Sequence, residues 1–360
     1  MTEERIAVVR TSDRHAFKRC RRSWSWNSSL RRNLTVSDSP SYFWIGTGGH
    51  FAMEDYYGYN HYGHPVEAAR AYATACHELK RRTGHGLPSD WQEQMTMLEG
   101  ILEYYMMWKE FRDEYKTVWI DDEPQVEITC HIPLDIPPPP GFDRVVYQFT
   151  LDRLVEIQGE YWILDWKFYK TFSQSDLDFD QQMSAYIWAA QCVYEDKPIA
   201  GGILHEFVKK LAKPPRIMAN GRISTADAQG TTHRLYRQAL IDLYGDVEKA
   251  PPANVKCLNA LALKETEDRD DFIRRTHTRR NIHHIQAEGT KIMMEAKDMC
   301  DPNLPLYPNP TRDCSWDCGF KDICIMVDRD DDWEYALNDI TIQRTEDDTS
   351  WRQHLPHLGW

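Results

Sequence analysis

Four side chains between Gln148 and Tyr186 have the types and spacing for metal-assisted chemistry: Asp152, Asp165, Lys167 and Gln182. Two carboxylates offer the hard oxygen donors that Mg²⁺ or Mn²⁺ prefers, and a lysine beside them can orient a water or stabilise charge on a phosphate. Their neighbours are Leu151, Leu154, Ile163, Leu164 and Trp166. Charges in such apolar company are costly unless a cation or an ion pair compensates them. A structural Asp–Lys pair on a surface hairpin would use the same residues, since D-x-K alone is common.

The elements that must position these groups are two runs rich in β-branched and aromatic residues, 144–157 and 161–168, separated by Gln158, Gly159 and Glu160. They predict an antiparallel hairpin. A two-residue turn at Gly159-Glu160, type II′, would set Asp152 opposite Lys167, with Asp165 on the same face. A four-residue loop would set Asp152 opposite Asp165 and keep all three together, whereas a three-residue loop would separate them. Downstream, Asp180 to Gln191 reads as a helix with Gln182 and Tyr186 one turn apart on one face.

The order D-x12-D-x-K followed by Q-x3-Y resembles the RecB-like branch of the PD-(D/E)XK nuclease superfamily. That resemblance implies that Asp152, Asp165 and the backbone carbonyl of Trp166 bind the catalytic metal, that Lys167 assists catalysis, and that Gln182 and Tyr186 lie beside the site. The segment GTGGHFAMEDYYG, 46–58, resembles the first motif of the same branch, in which a histidine at a helix start adds a metal ligand. His50 is the matching residue. Glu54, one helical turn later, could support or replace it, and Glu127 is a further candidate nearby. A lone helical histidine is otherwise more often a packing or surface residue.

Three of the nine cysteines, Cys314, Cys318 and Cys324, are concentrated in CSWDCGFKDIC. Three thiolates at that spacing can grip one soft metal centre, with the fourth ligand from elsewhere. Cys20 is the first candidate and Cys300 the alternative. One N-terminal cysteine with a distant C-terminal triplet resembles AddB-type and CRISPR-adaptation nucleases. The resemblance implies a [4Fe-4S] cluster that staples the chain ends, although C-x3-C stands here where C-x2-C is common. Zinc would suit four thiolates as well. Cys76, Cys130, Cys192 and Cys257 have apolar neighbours and read as core residues.

A chain of 360 residues, 41% hydrophobic with 13 Trp, has ample material for a packed core. No apolar run is long enough to span a membrane, and cysteine usage without a secretory signal points to the cytoplasm. The net charge of -13 disfavours nucleic acid only if the basic residues are scattered. Arg10 to Arg32 holds eight Lys or Arg against one Asp, interleaved with Trp24 and Trp26, and could track phosphates and stack bases. Arg274, Arg275, Arg279 and Arg280 form a second basic group, expected on a helix, and nine acidic residues lie between Asp328 and Asp348.

These readings predict an α/β protein: a restriction-endonuclease-like mixed sheet core flanked by helices, with helical insertions. The expected organisation is a basic helical segment (1–35) bearing Cys20, a nuclease core (36–210), a helical region (211–299), a cysteine segment (300–327) and an acidic extension (328–360). The expected function is a Mg²⁺- or Mn²⁺-dependent DNA nuclease, more exonuclease than endonuclease, resembling phage-type recombination enzymes. It would act on single-stranded DNA or duplex ends, with a recombination or replication protein as possible partner. Two other classes fit the same residues: a catalytically silent DNA-binding or assembly module, and a zinc-stapled regulatory protein.

Overall fold

The computed structural model describes residues 4–36, 42–83, 89–110, 112, 115–173, 177–226, 229–266, 270–343, 352 and 355. Much of the acidic extension beyond 343 lies outside them. Strand β1 (Ile6–Arg10) leads into α1 (Thr11–Arg19), α2 (Arg21–Asn27) and the short strand β2 (Leu34–Val36). Helices α3 (Tyr42–Tyr57), α4 (Pro65–Thr83) and α5 (Trp91–Lys109) precede three short strands, β3 (Lys116–Thr117), β4 (Trp119–Ile120) and β5 (Glu123–Pro124). The centre holds β6 (Val126–Leu134), β7 (Arg144–Ile157), β8 (Glu160–Tyr169), α6 (Gln181–Val193) and β9 (Ile199–Val208). Helices α7 (His233–Tyr244) and α8 (Pro252–Thr266), strand β10 (Ile273–Thr278), helices α9 (Ile282–Cys300), α10 (Lys321–Arg329) and α11 (Trp333–Ile340), and strand β11 (Thr341–Gln343) complete it.

Seven strands make one mixed sheet in the order β1-β7-β8-β9-β10, with β3 and β6 also paired to β7. The pairs β1–β7 and β8–β9 are parallel. This is the mixed α/β, restriction-endonuclease-like architecture expected. Helices α1, α6 and α9 cover one face through Phe17, Met183, Ile187 and Ile292. Helices α3, α4 and α5 cover the other through Phe51, Met53, Tyr72, Leu98 and Tyr105.

The 14 residues of β7 organise the sheet. Its first half pairs with β1 up to Gln148, its last residues pair with β8 from Arg153 onward, and β6 pairs along it from Val145 to Arg153. Over 149–152, between the end of β1 and the start of β8, no ladder pair is formed along that edge among the described residues.

Three elements differ from expectation. The first described element is a strand: Ala7 and Val9 are fully buried and alternate with period two over residues 6–10, and the expected helices follow only from Thr11. Residues 273–278 form β10 on the sheet edge instead of a helix, because the β-branched Ile273, Thr276 and Thr278 suit pairing against β9. The hairpin turn falls at Gln158-Gly159, with φ of 52° and 83°, so that Ile157 pairs with Glu160. Two successive positive φ values make a type I′ turn, whose twist matches the strands. The next pair in that register is Asp152 with Asp165, the arrangement anticipated for a longer loop.

The expected N-terminal phosphate track is also absent. Trp24 and Trp26 are buried, and Arg14 is 2% exposed between Glu288 and Glu295. Arg19, Arg22 and Arg32 pair with Asp317, Asp328 and Glu334, so the basic stretch faces the acidic C-terminal segments. Strand β11 pairs with β2, and Trp26 packs on Phe320. The N-terminal and C-terminal segments therefore meet through direct protein contacts.

Helix α3 approaches the sheet through glycine. A Cβ on Gly49 would lie 2.3 Å from the Phe168 ring and one on Gly48 2.9 Å from Tyr72, whereas one on Gly46 would meet nothing within 4 Å. Gly49→Ala is expected to lower stability by about 1 to 3 kcal/mol through overpacking. Gly46→Ala should raise it by up to about 1 kcal/mol through helix propensity. Urea unfolding of the two variants, compared with the parent, checks the pair.

Candidate active site

The seat of the site is the stretch of β7 between Gln148 and Arg153, open on the edge shared by β1 and β8. Leu151 and Leu154 lie in the same apolar cluster although three residues apart, whereas an uninterrupted strand would turn them to opposite faces. The alternation therefore slips around Asp152. On the neighbouring strand Glu127 has φ 51°, a left-handed conformation that costs a residue with a Cβ on the order of 1 kcal/mol. Strain and slip coincide: Val126 pairs with Arg153 and Ile128 with Leu151, with Glu127 and Asp152 between them.

Asp152 is 6% exposed, and its Oδ2 accepts the Trp166 backbone N–H at 2.7 Å. A carboxylate thus takes the donor that a ladder partner would otherwise take. In an extended strand the N–H and C=O of one residue point the same way. The Trp166 carbonyl therefore faces the same gap. Asp165 is 3% exposed and receives Lys167 Nζ at 2.7 Å. Gln182 Nε2 donates to the Tyr186 hydroxyl at 3.0 Å and lies 3.5 Å from Asp165 Oδ1. Asp180, the N-cap of α6, accepts Met183 N–H and fixes the start of that helix.

His50 sits in the interior of α3, not at its start. The helix starts eight residues earlier than the resemblance implies, and Gly48 and Gly49 lie inside it where a Cβ would crowd Tyr72 and Phe168. From there His50 Nδ1 reaches Glu127 Oε1 at 3.1 Å and Asp152 Oδ2 at 3.6 Å. One ligand atom each from His50, Glu127 and Asp152 lie within 4.8 Å of one another, close enough to share one metal ion. Glu54 takes no part in this triad. Arg352 grips it through two nitrogens at 3.0 and 2.6 Å, so Glu127 is the carboxylate bonded to His50.

Charge balance ties these groups together. Burial opposes the His50 cation, but Asp152 and Glu127 outweigh it and push its pKa up to about 9. Burial, helped by the charge of Asp152, pushes the Asp165 carboxyl up to about 6, against the pull of Lys167. Burial likewise raises Asp152. The Lys167 ammonium is held well above its ordinary range despite burial, by Asp165 and then Asp152. Three carboxylates facing two cations suit a divalent ion, and the donor set of carboxylate oxygens, imidazole and a backbone carbonyl fits Mg²⁺ or Mn²⁺.

The cysteines form a separate locus. Cys20, Cys314, Cys318 and Cys324 line one cavity between α1, α2 and the 308–328 segment. Backbone N–H groups of Asn309 and Thr311 point at the sulfurs of Cys20 and Cys314, and Arg22 lies 3.4 Å from that of Cys324. Burial, then the neighbouring Cys314 and Cys20, raise the Cys318 thiol pKa. Cys300 is buried in the main core and does not line the cavity. Among the other cysteines Cys76, Cys130 and Cys257 are partly buried, while Cys192 is exposed at the end of α6, not in the core as expected. Of the second basic group, Arg274 pairs with Glu206, Arg279 with Glu160 and Arg280 with Asp178. Arg275 stacks on Trp108 and Tyr115.

Sequence reasoning ranked Glu127 below Glu54 and missed Arg352. Glu127 is 77 residues from His50, and only the β6–β7 register could have placed it.

A family model described as the PD-(D/E)XK nuclease superfamily matches residues 11–325. No curated protein matches the chain. No helix among the described residues is long and apolar enough to cross a membrane.

With metal chelated, the His50 cation stabilises the fold, because its folded pKa of about 9 exceeds the ordinary 6.5. That contribution is complete below pH 6.5 and fades as pH rises through about 9. The stability difference between the parent and His50→Gln, from urea titrations in chelator at pH 6 and 9.5, should shrink accordingly. A divalent ion held by the same imidazole competes with its proton, so Mn²⁺ affinity measured by calorimetry should rise between pH 7 and 9.

Proposed function

The chain belongs to the PD-(D/E)XK nuclease superfamily, a family of metal-dependent nucleases, and from that premise we propose a DNA exonuclease that hydrolyses phosphodiester bonds with Mg²⁺ or Mn²⁺. One observation carries the reading. The carboxylate of Asp152, the carbonyl side of Trp166, the Asp165–Lys167 pair and the His50–Glu127 pair converge where β7 and β8 part.

Asp152, Asp165, the Trp166 carbonyl and His50 are the residues to hold the metal, with Glu127 as a further ligand or as the group that orients His50. When bound, the ion supplies Lewis-acid stabilisation of charge on the phosphate oxygens. Lys167, already anchored to Asp165, is placed to position the attacking water and lower the cost of deprotonating it. Gln182, bonded to Tyr186, reaches Asp165 and would help to orient that carboxylate. The exonuclease reading draws on the cysteine segment, whose likeness is to nucleases that thread a strand end. A role in recombination or DNA processing of the phage type is proposed separately, from the resemblance of a nuclease without helicase motifs to such enzymes.

Cys20, Cys314, Cys318 and Cys324 are the ligands of choice for a [4Fe-4S] cluster that fastens the N- and C-terminal segments. Tetrahedral zinc would use the same four thiolates. The silent-module reading is disfavoured by the full set of Asp152, Asp165 and Lys167.

End-labelled single- and double-stranded DNA with Mg²⁺ or Mn²⁺ is the test. Asp165→Ala should reduce cleavage on the order of 10³-fold or more with an unchanged circular dichroism spectrum. A mononucleotide ladder would support exonuclease action, and an unaffected mutant would overturn the site assignment. Cys318→Ala should instead lose iron and visible absorbance and unfold at lower temperature.

A further inference from the structure

Beside the metal site runs a groove whose walls include Phe51, Glu54, Tyr59, Pro124, Glu127 and Arg352. Glu127 therefore belongs both to this groove and to the His50–Asp152 triad. Tyr59, which lines it, is 55% exposed, and beside Tyr59 stands a second large aromatic side chain open to solvent, Trp119 at 50%. Their rings meet edge to face at 6.0 Å, and His61 packs against Tyr59 at 5.6 Å. Among the described residues this is the one contact between two aromatic side chains that are both at least half exposed. Burying these rings would remove apolar area from water, yet the fold leaves them out.

The platform is also fixed in place. Tyr59 lies two residues beyond α3, the helix that carries His50, and the buried Asp55 holds the turn by accepting the N–H groups of His61 at 2.9 Å and Tyr62 at 3.2 Å. Trp119 lies on β4, paired with β5, which runs straight into Val126 and Glu127. Both rings are thus wired through rigid backbone to a candidate metal ligand. The groove's own charge is acidic, with Glu54, Asp55, Glu123 and Glu127 against Arg352, so it repels a phosphate backbone laid along it. An uncharged aromatic face can enter where a phosphate cannot.

We propose that Tyr59 and Trp119 form a stacking platform for one unpaired nucleobase of the substrate next to the scissile phosphate, so that the enzyme acts on single-stranded DNA or on a frayed duplex end. This rests on the nuclease reading above and adds its substrate form. A base inside a duplex presents no free face, whereas a splayed base stacks on an aromatic regardless of its identity.

The test separates binding from cleavage. In an Asp165→Ala background with Ca²⁺, fluorescence anisotropy of a labelled single-stranded oligonucleotide is compared for Tyr59→Ala, Trp119→Ala and Trp119→Phe. Each is paired with a series of oligonucleotides carrying one abasic site at successive positions. The alanine variants should weaken binding on the order of tenfold, Trp119→Phe should largely restore it, and one abasic position should abolish the difference between parent and variants. Duplex DNA should show no such difference. Equal losses on intact and abasic strands, no loss at all, or no single-strand binding by the parent would each overturn the platform. Cleavage by the Asp165-bearing enzyme is scored apart: activity without an abasic effect sinks the platform and leaves the nuclease, and an abasic effect without activity does the reverse.

Discussion

The hydrogen bond from the Trp166 N–H to the Asp152 carboxylate is the contact on which the site depends. A sheet normally satisfies such donors with a neighbouring carbonyl, and an unsatisfied one costs about 1 to 3 kcal/mol. Here β1 stops at Gln148 and β8 takes over from Arg153, so the edge of β7 between them is open. Asp152 occupies the opening and satisfies Trp166 itself, which turns the carbonyl of that residue into the same gap. The slip in alternation around Asp152 and the left-handed Glu127 across from it arise from the same departure from regular pairing.

An opening that gathers Asp152, Asp165 and Glu127 would be unstable if nothing opposed their charge. Lys167 answers Asp165 and His50 answers Glu127 and Asp152, each at hydrogen-bond or near hydrogen-bond distance. The pKa directions record an incomplete balance: both buried aspartates rise, while the two cations are held in their charged forms. The protein thus spends stability on a site that is preorganised for a further positive charge. Gly49 of α3 belongs to the same design, because its missing side chain lets the helix that carries His50 approach the sheet past Phe168.

Much of this was legible in the sequence because it is local. Asp152, Asp165, Lys167, Gln182 and Tyr186 lie within 35 residues on a hairpin and the next helix, where period-two and helical spacing decide who shares a face. The register was open because three residues could host the turn, and the ability of Gln158 to take positive φ settled it. What could not be read were pairings across long separations. The partnership of His50 with Glu127 spans 77 residues and that of Glu54 with Arg352 spans 298. Charge runs misled for the same reason: Arg14, Arg19, Arg22 and Arg32 resemble a phosphate track until Glu288, Asp317, Asp328 and Glu334 fold against them.

That neutralisation reconciles a net charge of -13 with a nucleic-acid substrate. The cations that could have made a broad electropositive face are used to join the first 35 residues to the last third of the chain, around the four-cysteine cavity. Long-range phosphate attraction is therefore weak, and a strand must be held chiefly at short range, by the metal site and by contacts to bases. Such binding would favour strands whose bases are accessible, and the proposed Tyr59–Trp119 platform adjoins the groove that Glu127 of the metal triad lines.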